Sequence, residues 1–337
     1  MLLKIPYDVR RKIYDHIVPS SVHIWTTAGV TRVFSCVPPP ATDPKEPGKE
    51  CQEGLPLEED KWDESHTKTW AVRLQSGWGP HWKCEEKAKE LADYSDITEV
   101  LLRVNKHINA EIVDLIVTST EVIITDIASF ETLVRRSVDV KFSCRFKDVQ
   151  KLRIIAKLHT RALTTIEQRN QISTRESTRE TTQKNDDAEV VAWQRLSFTL
   201  AHVTALRTLR VWLDRRESYY WTTVDESAIL APLRPLAVER QLDVCIELPR
   251  HYNDNITTFP FKVTRRLRQR FFGYIDLPDE VRTFRKADFP MIEACHFPVD
   301  GLSAAELESA ERQLWREGVN IQHDIINDGY FICRGNF

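Results

Sequence analysis

The stretch KLRIIAKLH, residues 151–159, decides the fold class, because a short apolar run of Leu, Ile and Ala passes through it. Such a run, rich in β-branched residues and bounded by polar segments, is typical of a buried strand. Two later stretches, LRTLRVWLD (206–214) and LDVCIELP (242–249), repeat the pattern, and TEVIITD (120–126) precedes all three. The four stretches predict one sheet with largely buried strands.

Helical segments separate these strands. SFETLVRRS (129–137), AEVVAWQRLSFTLAHV (188–203) and DESAILAPLRPLAVE (225–239) lie between successive strands. One side of the second helix carries Trp193, Leu196, Leu200 and Val203. Parallel strands need such crossovers, so the fold class is predicted as α/β, or mixed α+β, with a mostly parallel sheet. The recurring LRII, LRVWL and LDVCIEL resemble an irregular, leucine-rich-repeat-like (LRR-like) stack over residues 120–250.

Two further helices are predicted before this body. In KIPYDVRRKIYDHIVP (4–19), apolar residues recur every four positions at Ile5, Val9, Ile13 and Ile17. This stripe is typical of a helix that buries one face, which favours core packing over ligand contact. TEVLLRVNKHINAEIVDLIVTS (98–119) predicts one continuous second helix. Its stripe consists of Leu101, Val104, Ile108, Ile112 and Leu115.

Three other regions lie outside this pattern. Residues 36–95 are predicted as an inserted loop region that is rich in proline and acidic residues at its start. Trp70, Trp78 and Trp82 predict that this region packs against the rest of the protein. Residues 165–187 are polar and low in complexity, as in a solvated loop or a ragged extension of a helix. Residues 251–337 are predicted as a C-terminal α/β extension, with a capped helix at 302–318.

The composition excludes several classes of protein. Hydrophobic residues make up 42% and charged residues 29% of the chain, which is globular composition, and the net charge of −3 does not favour nucleic acid as a partner. RRLRQRF (265–271) could contact RNA, but its alternating arginines fit a solvated face better. The most apolar stretch, 112–130, contains three acids and predicts no membrane span. Seven widely spaced cysteines without a CxxC pair predict free thiols in the cytoplasm or nucleus.

Motifs for catalysis and cofactor binding are missing from the sequence. The chain has ten glycines, about half the usual share, and contains no GxGxxG, GxxxxGK[ST], GxSxG or HExxH. We therefore predict a protein that is not an enzyme and that has no cofactor.

Five potential metal ligands fall in or beside the inserted region: Cys36, Cys51, His66, His81 and Cys84. Structural zinc sites usually take ligands in close pairs, and only His81 and Cys84 approach that spacing. The pattern favours unrelated thiol and polar side chains over a zinc site, so no metal is predicted.

An aromatic cluster in VWLDRRESYYWTTVDES (211–227) is the strongest candidate for a contact surface. Its members are Trp212, Tyr219, Tyr220 and Trp221. They follow the carboxyl end of a predicted strand, where open α/β sheets place ligands, and aromatic residues anchor protein interfaces. The alternative is that this long loop packs against the edge of the sheet.

Two blocks of sequence resemble a fungal family of domain-of-unknown-function proteins that begin with a degenerate F-box. LLKIPYDVRRKIYDHIV (2–18) matches the start, through Ile5, Pro6, Asp8, Val9, Arg10, Ile13, Tyr14 and Ile17. LLRVNKHINAEIVDLIVTSTEVIIT (101–125) resembles the second block, through Leu102, Ile108 and Glu111. The resemblance implies an F-box-like helical segment made of residues 1–35 and 96–119.

F-box domains bind the Skp adaptor of cullin–RING ubiquitin ligases, while the remaining domain captures a substrate protein. The resemblance therefore implies an adaptor-binding or bundle-core role for Ile5, Pro6, Val9, Ile13 and Ile17. We expect a non-catalytic protein–protein interaction module, a ubiquitin-ligase substrate receptor being the specific form. The first alternative is a scaffold subunit that does not bind Skp, and the second is an enzyme with a site near residues 212–225.

Overall fold

A computed structural model of the chain describes residues 4–27, 30–37, 76–90, 96–135, 143–174, 188–216, 221, 224–249, 258–266, 270–277 and 280–287. Several predictions lie outside these residues: the helix at 302–318, most of the inserted region including Cys51, His66 and Trp70, and the aromatic residues Tyr219 and Tyr220.

Seven strands form a mixed sheet in the spatial order β2-β1-β3-β4-β5-β6-β7. They are β1 Ser21–Thr27, β2 Val30–Ser35, β3 Glu121–Ile124, β4 Lys151–Leu158, β5 Thr208–Arg215, β6 Asp243–Pro249 and β7 Lys262–Arg266. In this sheet β1 and β2 pair antiparallel, and the other neighbouring strands pair parallel. The predicted α/β class and mostly parallel sheet are confirmed. A separate antiparallel pair joins β8 Arg270–Leu277 to β9 Glu280–Ala287.

The helices fall mainly between the strands. They are α1 Tyr7–Ile17, α2 Trp82–Glu90, α3 Ile97–Val104, α4 Lys106–Ser119, α5 Ile127–Arg135, α6 Thr160–Thr174, α7 Ala188–Gln194, α8 Leu196–Ala201, α9 Glu226–Leu230 and α10 Arg234–Glu239. Short 3-10 helices cover Gly79–His81, Ser143–Asp148 and Ala231–Leu233. None of the helices in the described ranges combines the length and apolar character needed to cross a bilayer.

Alternation along the strands gives the sheet two different faces. One face packs against the helices and forms the main core. Its strand residues are Val122, Ile124, Leu152, Ile154, Leu209, Val211, Val244 and Ile246. The predicted inner side of 188–203 belongs to this core, because Trp193, Leu196, Leu200 and Val203 are all fully buried. The second face carries a smaller cluster of Ile123, Ile155 and Trp212. Successive strand residues point to opposite sides, so one sheet supports both clusters.

Residues 76–90, the described part of the inserted region, cover the second face. Trp78 and Trp82 are buried, which confirms the prediction that they pin this region. The Nζ of Lys157 on β4 donates a 3.0 Å hydrogen bond to the carbonyl of Ser76. Gly79 lies against the ring of Trp212, so closely that a Cβ at position 79 would approach it to 2.6 Å. The 76–90 segment is therefore part of the folded body and not a free loop.

Two predicted elements differ from the structure. Residues 21–27 and 30–35, assigned to the helical segment, form the antiparallel strands of the β1–β2 hairpin and extend the sheet of the body. The helix predicted at 98–119 is broken at Asn105, whose backbone is extended and whose side chain accepts a 2.8 Å hydrogen bond from the N–H of His107. Asn is a favoured N-cap residue, so it begins α4 and ends the stripe of α3. As a result Val104 is exposed, not buried.

Candidate functional site

Helix α1 turns its predicted apolar stripe away from the core. Val9 is 47% exposed and Ile17 is 37% exposed. Ile5 and Ile13 are half-buried, and Pro6 is exposed at the N-cap. The prediction that this stripe packs into the core is therefore wrong. Val9, Ile17 and, between them, the half-buried Ile13 form the apolar stripe of α1 that lies outside the main core.

The inner face of α1 is held by a carboxylate of α4. The Arg10 guanidinium binds both oxygens of Glu111, with 3.0 Å from Nε to Oε2, and the Tyr14 hydroxyl donates to Oε2 at 2.9 Å. The hydrogen bond from Arg10 is the main cause that lowers the pKa of Glu111 below its usual range. An enclosed carboxylate without partners is costly, so the helix turns its Arg and Tyr side inward and its Val and Ile side outward.

The helical segment brings together two distant parts of the sequence. Arg10 and Glu111 are 101 residues apart, yet they join α1 to α4. Helix α3 also packs on α4 and exposes Val100 and Val104. Two helices anchored on α4 thus present apolar side chains to solvent.

The aromatic cluster at 211–227 is divided by the structure. Trp212 is buried on the second face of the sheet, and Trp221 is buried with its Nε1 donating to Glu226 at 2.7 Å. Glu226 also accepts from Arg265 of β7 at 2.5 and 2.8 Å, so this arginine of the basic run has an intramolecular partner. Both tryptophans therefore belong to the internal packing of the protein and offer no exposed contact surface.

A cleft of about 450 Å³ lies at the carboxyl ends of β3 and β4. Charged side chains that line it include Glu85, Lys157, Glu189 and Arg216. An enzyme site near 212–225 would place a polar pocket beside Asp214 and Glu226. Of the described residues, neither of these two acids lines the cleft. Arg216, which belongs to the 212–225 stretch, does line the cleft, so the enzyme alternative stays a prediction.

A compact group of thiols and imidazoles lies between the β1–β2 hairpin and the 76–90 segment. It consists of His23 on β1, Cys36 just after β2, His81 in the 3-10 helix and Cys84 in α2, and one potential ligand atom of each lies within 4.8 Å of the others. The sulfur of Cys36 is 3.8 Å from that of Cys84 and 3.3 Å from Nδ1 of His81. The sequence pointed to three members and missed His23, because the hairpin was not predicted.

This group is largely buried, and some of its polar atoms have no hydrogen-bond partner among the described residues. His23 is fully buried against the rings of Phe34 and Trp78, with centroid distances of 5.3 and 5.2 Å. Neither of its ring nitrogens has a hydrogen-bond partner among the described residues. Burial lowers the pKa of His23, and the hydrogen bond with the Cys84 thiol lowers the pKa of Cys36. Burial therefore favours the neutral form of the His23 imidazole.

Asp96 links the same segment to α3 and to the hairpin. As the N-cap of α3, its carboxylate accepts from the N–H of Thr98 at 2.9 Å. It also accepts from the hydroxyl of Ser35 at 2.9 Å and from Nζ of Lys87 on α2 at 2.7 Å. Burial raises the pKa of Asp96, but the hydrogen bonds from Lys87, Thr98 and Ser35 outweigh it, so the pKa lies below its usual range.

We expect Asp96→Asn to lower the free energy of unfolding by about 1–3 kcal/mol at pH 7, because the cap survives but the charged partner of Lys87 is lost. A depressed carboxyl pKa stabilises the folded state above the unfolded-state pKa, and this contribution disappears as the pH falls through the folded-state pKa. The difference from wild type should therefore shrink on acidification below about pH 4.

Urea unfolding at several pH values measures this difference. The exposed Asp243 provides the control, because Asp243→Asn should change stability by less than about 0.5 kcal/mol. A wild-type advantage over Asp96→Asn that stays constant down to pH 3 would contradict the role given to Asp96.

Comparison with known families gives one match: the model described as "Domain of unknown function (DUF7730)" matches residues 1–263. This range covers α1, the 76–90 segment and the sheet as far as the start of β7. Neither the curated proteins nor the solved structures contain a significant match.

Proposed function

This chain belongs to the DUF7730 family, and we propose that it is a non-catalytic protein–protein interaction module that docks through the outer face of α1. The partner is a Skp-type adaptor of a cullin–RING ubiquitin ligase, and the α/β body serves to capture a substrate protein. This function belongs to the cytoplasm or nucleus, a location in keeping with Cys36, Cys84 and Cys245, none of which forms a disulfide.

The exposed apolar stripe of α1 is the observation that carries the proposal. Val9, Ile13 and Ile17 are spaced by four residues, so they lie along one side of the helix. Amphipathic helices use such a side to bind apolar grooves of other proteins. In this chain the side is not used by the core, because Arg10 and Tyr14 occupy the inner face.

The anchoring of α1 supports the same role. The bidentate contact between Arg10 and Glu111 and the hydroxyl of Tyr14 hold the helix in one orientation on α4. A helix that is already ordered loses less conformational entropy when it binds than a disordered segment does. The outward stripe is therefore presented in a binding-ready form.

Binding of the purified chain to a purified Skp-type adaptor tests the proposal. We expect the double variant Val9→Asp/Ile17→Asp to weaken the complex by about 30-fold or more, because two charges enter an apolar contact. Both positions are exposed in the free chain, so the variant should keep the circular dichroism spectrum and melting temperature of the wild type.

A matched control uses an apolar residue of α10. Val238 is 66% exposed, and Val238→Asp adds one such charge outside α1. This variant should bind the adaptor as the wild type does. A wild-type chain that fails to bind, or a Val9→Asp/Ile17→Asp chain that binds normally, would refute adaptor docking through α1. Recovery of a stable complex without the adaptor from cell extract would instead favour the scaffold alternative.

A further inference from the structure

We propose that His23, Cys36, His81 and Cys84 together bind one Zn²⁺ ion, which fastens the 76–90 segment to the β1–β2 edge of the sheet. The sequence favoured unrelated side chains here, because only one close ligand pair was visible in it. The fold brings His23 and Cys36 together as the second ligand pair.

Three of the four donor atoms match the size of a tetrahedral zinc site, and all four lie within 4.8 Å of one another. A regular tetrahedron with Zn–S bonds of about 2.3 Å places its two sulfur atoms about 3.8 Å apart. The sulfurs of Cys36 and Cys84 are 3.8 Å apart. With Zn–N bonds of about 2.0 Å, the expected distance between nitrogen and sulfur is about 3.5 Å. Nδ1 of His81 lies 3.3 Å from the sulfur of Cys36 and 3.9 Å from that of Cys84.

The burial of His23 provides an independent reason. Its side chain is fully enclosed, and neither ring nitrogen finds a hydrogen bond among the described residues. A buried polar group without a partner costs about 1–3 kcal/mol, so such groups are rare unless something satisfies them. Coordination through one ring nitrogen would give His23 the partner that the protein does not supply.

The four ligands come from two pairs that the fold brings together. His81 and Cys84 lie three residues apart, where the 3-10 helix leads into α2. His23 pairs with Phe34 across the hairpin, and Cys36 is two residues beyond Phe34, on the same side of the sheet. Two pairs from separate parts of the chain are the usual construction of a structural zinc site.

Ligand number and type favour a structural role and Zn²⁺. Four protein ligands complete the tetrahedron, so no position is left for water or substrate. Two thiolates and two imidazoles suit zinc better than magnesium or calcium, which prefer oxygen. The backbone N–H of Val37 donates to the sulfur of Cys84 at 3.2 Å. The ion would thus tie α2 to the hairpin, close to Asp96 and Lys87.

Metal analysis of the untagged full-length chain, purified under reducing conditions without chelator, tests the site. We expect one zinc ion per chain in the wild type. Cys84→Ser and His23→Asn should each reduce the zinc content to about a tenth or less. Cys245→Ser is the control, because this free thiol lies on β6 outside the group, and it should retain the full zinc content.

Cobalt substitution keeps the test valid if the ligand variants fail to fold. The wild-type chain, exchanged with Co²⁺, should show the visible bands of tetrahedral cobalt and a sulfur-to-metal charge-transfer band, both removed by added Zn²⁺. Folded wild-type protein that contains no zinc and gives no cobalt bands would overturn the proposal. So would a disulfide between Cys36 and Cys84 in folded, metal-free protein, or full zinc content in a folded Cys36→Ser/Cys84→Ser variant.

Discussion

Replacing Trp193 by Ala should lower the free energy of unfolding by about 3–5 kcal/mol. Trp193 is among the largest fully buried side chains of the described residues, and it lies on α7 in the main core. Its Nε1 also donates a 2.8 Å hydrogen bond to the carbonyl of Ile229 in α9. The substitution leaves a cavity and removes the donor to a buried carbonyl, so both costs add.

Trp193→Phe separates the two costs. Phe retains most of the apolar packing but cannot donate to Ile229, so we expect a smaller loss than for Ala. The exposed Phe198 of α8 is the control, and Phe198→Ala should change stability by less than about 1 kcal/mol. Chemical denaturation measures all three variants. A loss below 1 kcal/mol for Trp193→Ala would show that Trp193 does not hold α7 to α9.

Replacing Gly79 by Ala should destabilise the protein by about 2–4 kcal/mol. The φ of Gly79 is +53°, a left-handed conformation that residues with a Cβ adopt at a cost. A Cβ would also approach carbon atoms of the Trp212 ring to 2.6 Å, and Trp212 is too tightly buried to give way. The strain falls where the 76–90 segment meets the second face of the sheet.

Gly77→Ala is the matched control for this effect. The nearest atom to a Cβ at position 77 is the flexible NH2 end of Arg216, at 3.8 Å, which is ordinary contact. We therefore expect Gly77→Ala to be nearly neutral. Thermal unfolding followed by tryptophan fluorescence measures both variants. Equal melting temperatures for Gly79→Ala and the wild type would mean that the 76–90 segment is not seated on Trp212.

Strands β3 to β6 were predictable from sequence because they are largely buried. The stretches 151–158 and 208–215 each contain a short apolar run, Ile154–Ala156 and Val211–Leu213, whose residues are all buried. The hairpin at 21–35 was missed, although SVHIWTTAGVTRVFS contains β-branched and aromatic residues around Ala28 and Gly29, a hairpin signal. That omission hid His23 and with it the second ligand pair.

The orientation of α1 shows why sequence periodicity did not decide the site. Val9, Ile13 and Ile17 recur every four residues, but so do Arg10, Tyr14 and Val18. Periodicity alone favours the more apolar set. The outcome depends on Glu111, about a hundred residues away, because its enclosed carboxylate requires the donors of Arg10 and Tyr14. Contacts at this separation are set by the tertiary structure and leave no local sequence signal.

Hydrogen–deuterium exchange of the chain with and without a Skp-type adaptor tests adaptor docking through α1 most directly. We expect the adaptor to slow exchange of the amides in residues 7–17, because the outward face of α1 is covered in the complex. Exchange in α10, which carries the exposed Val238, should be unchanged. A bound adaptor that leaves exchange in residues 7–17 unaltered, or that protects a different part of the chain, would contradict docking through α1.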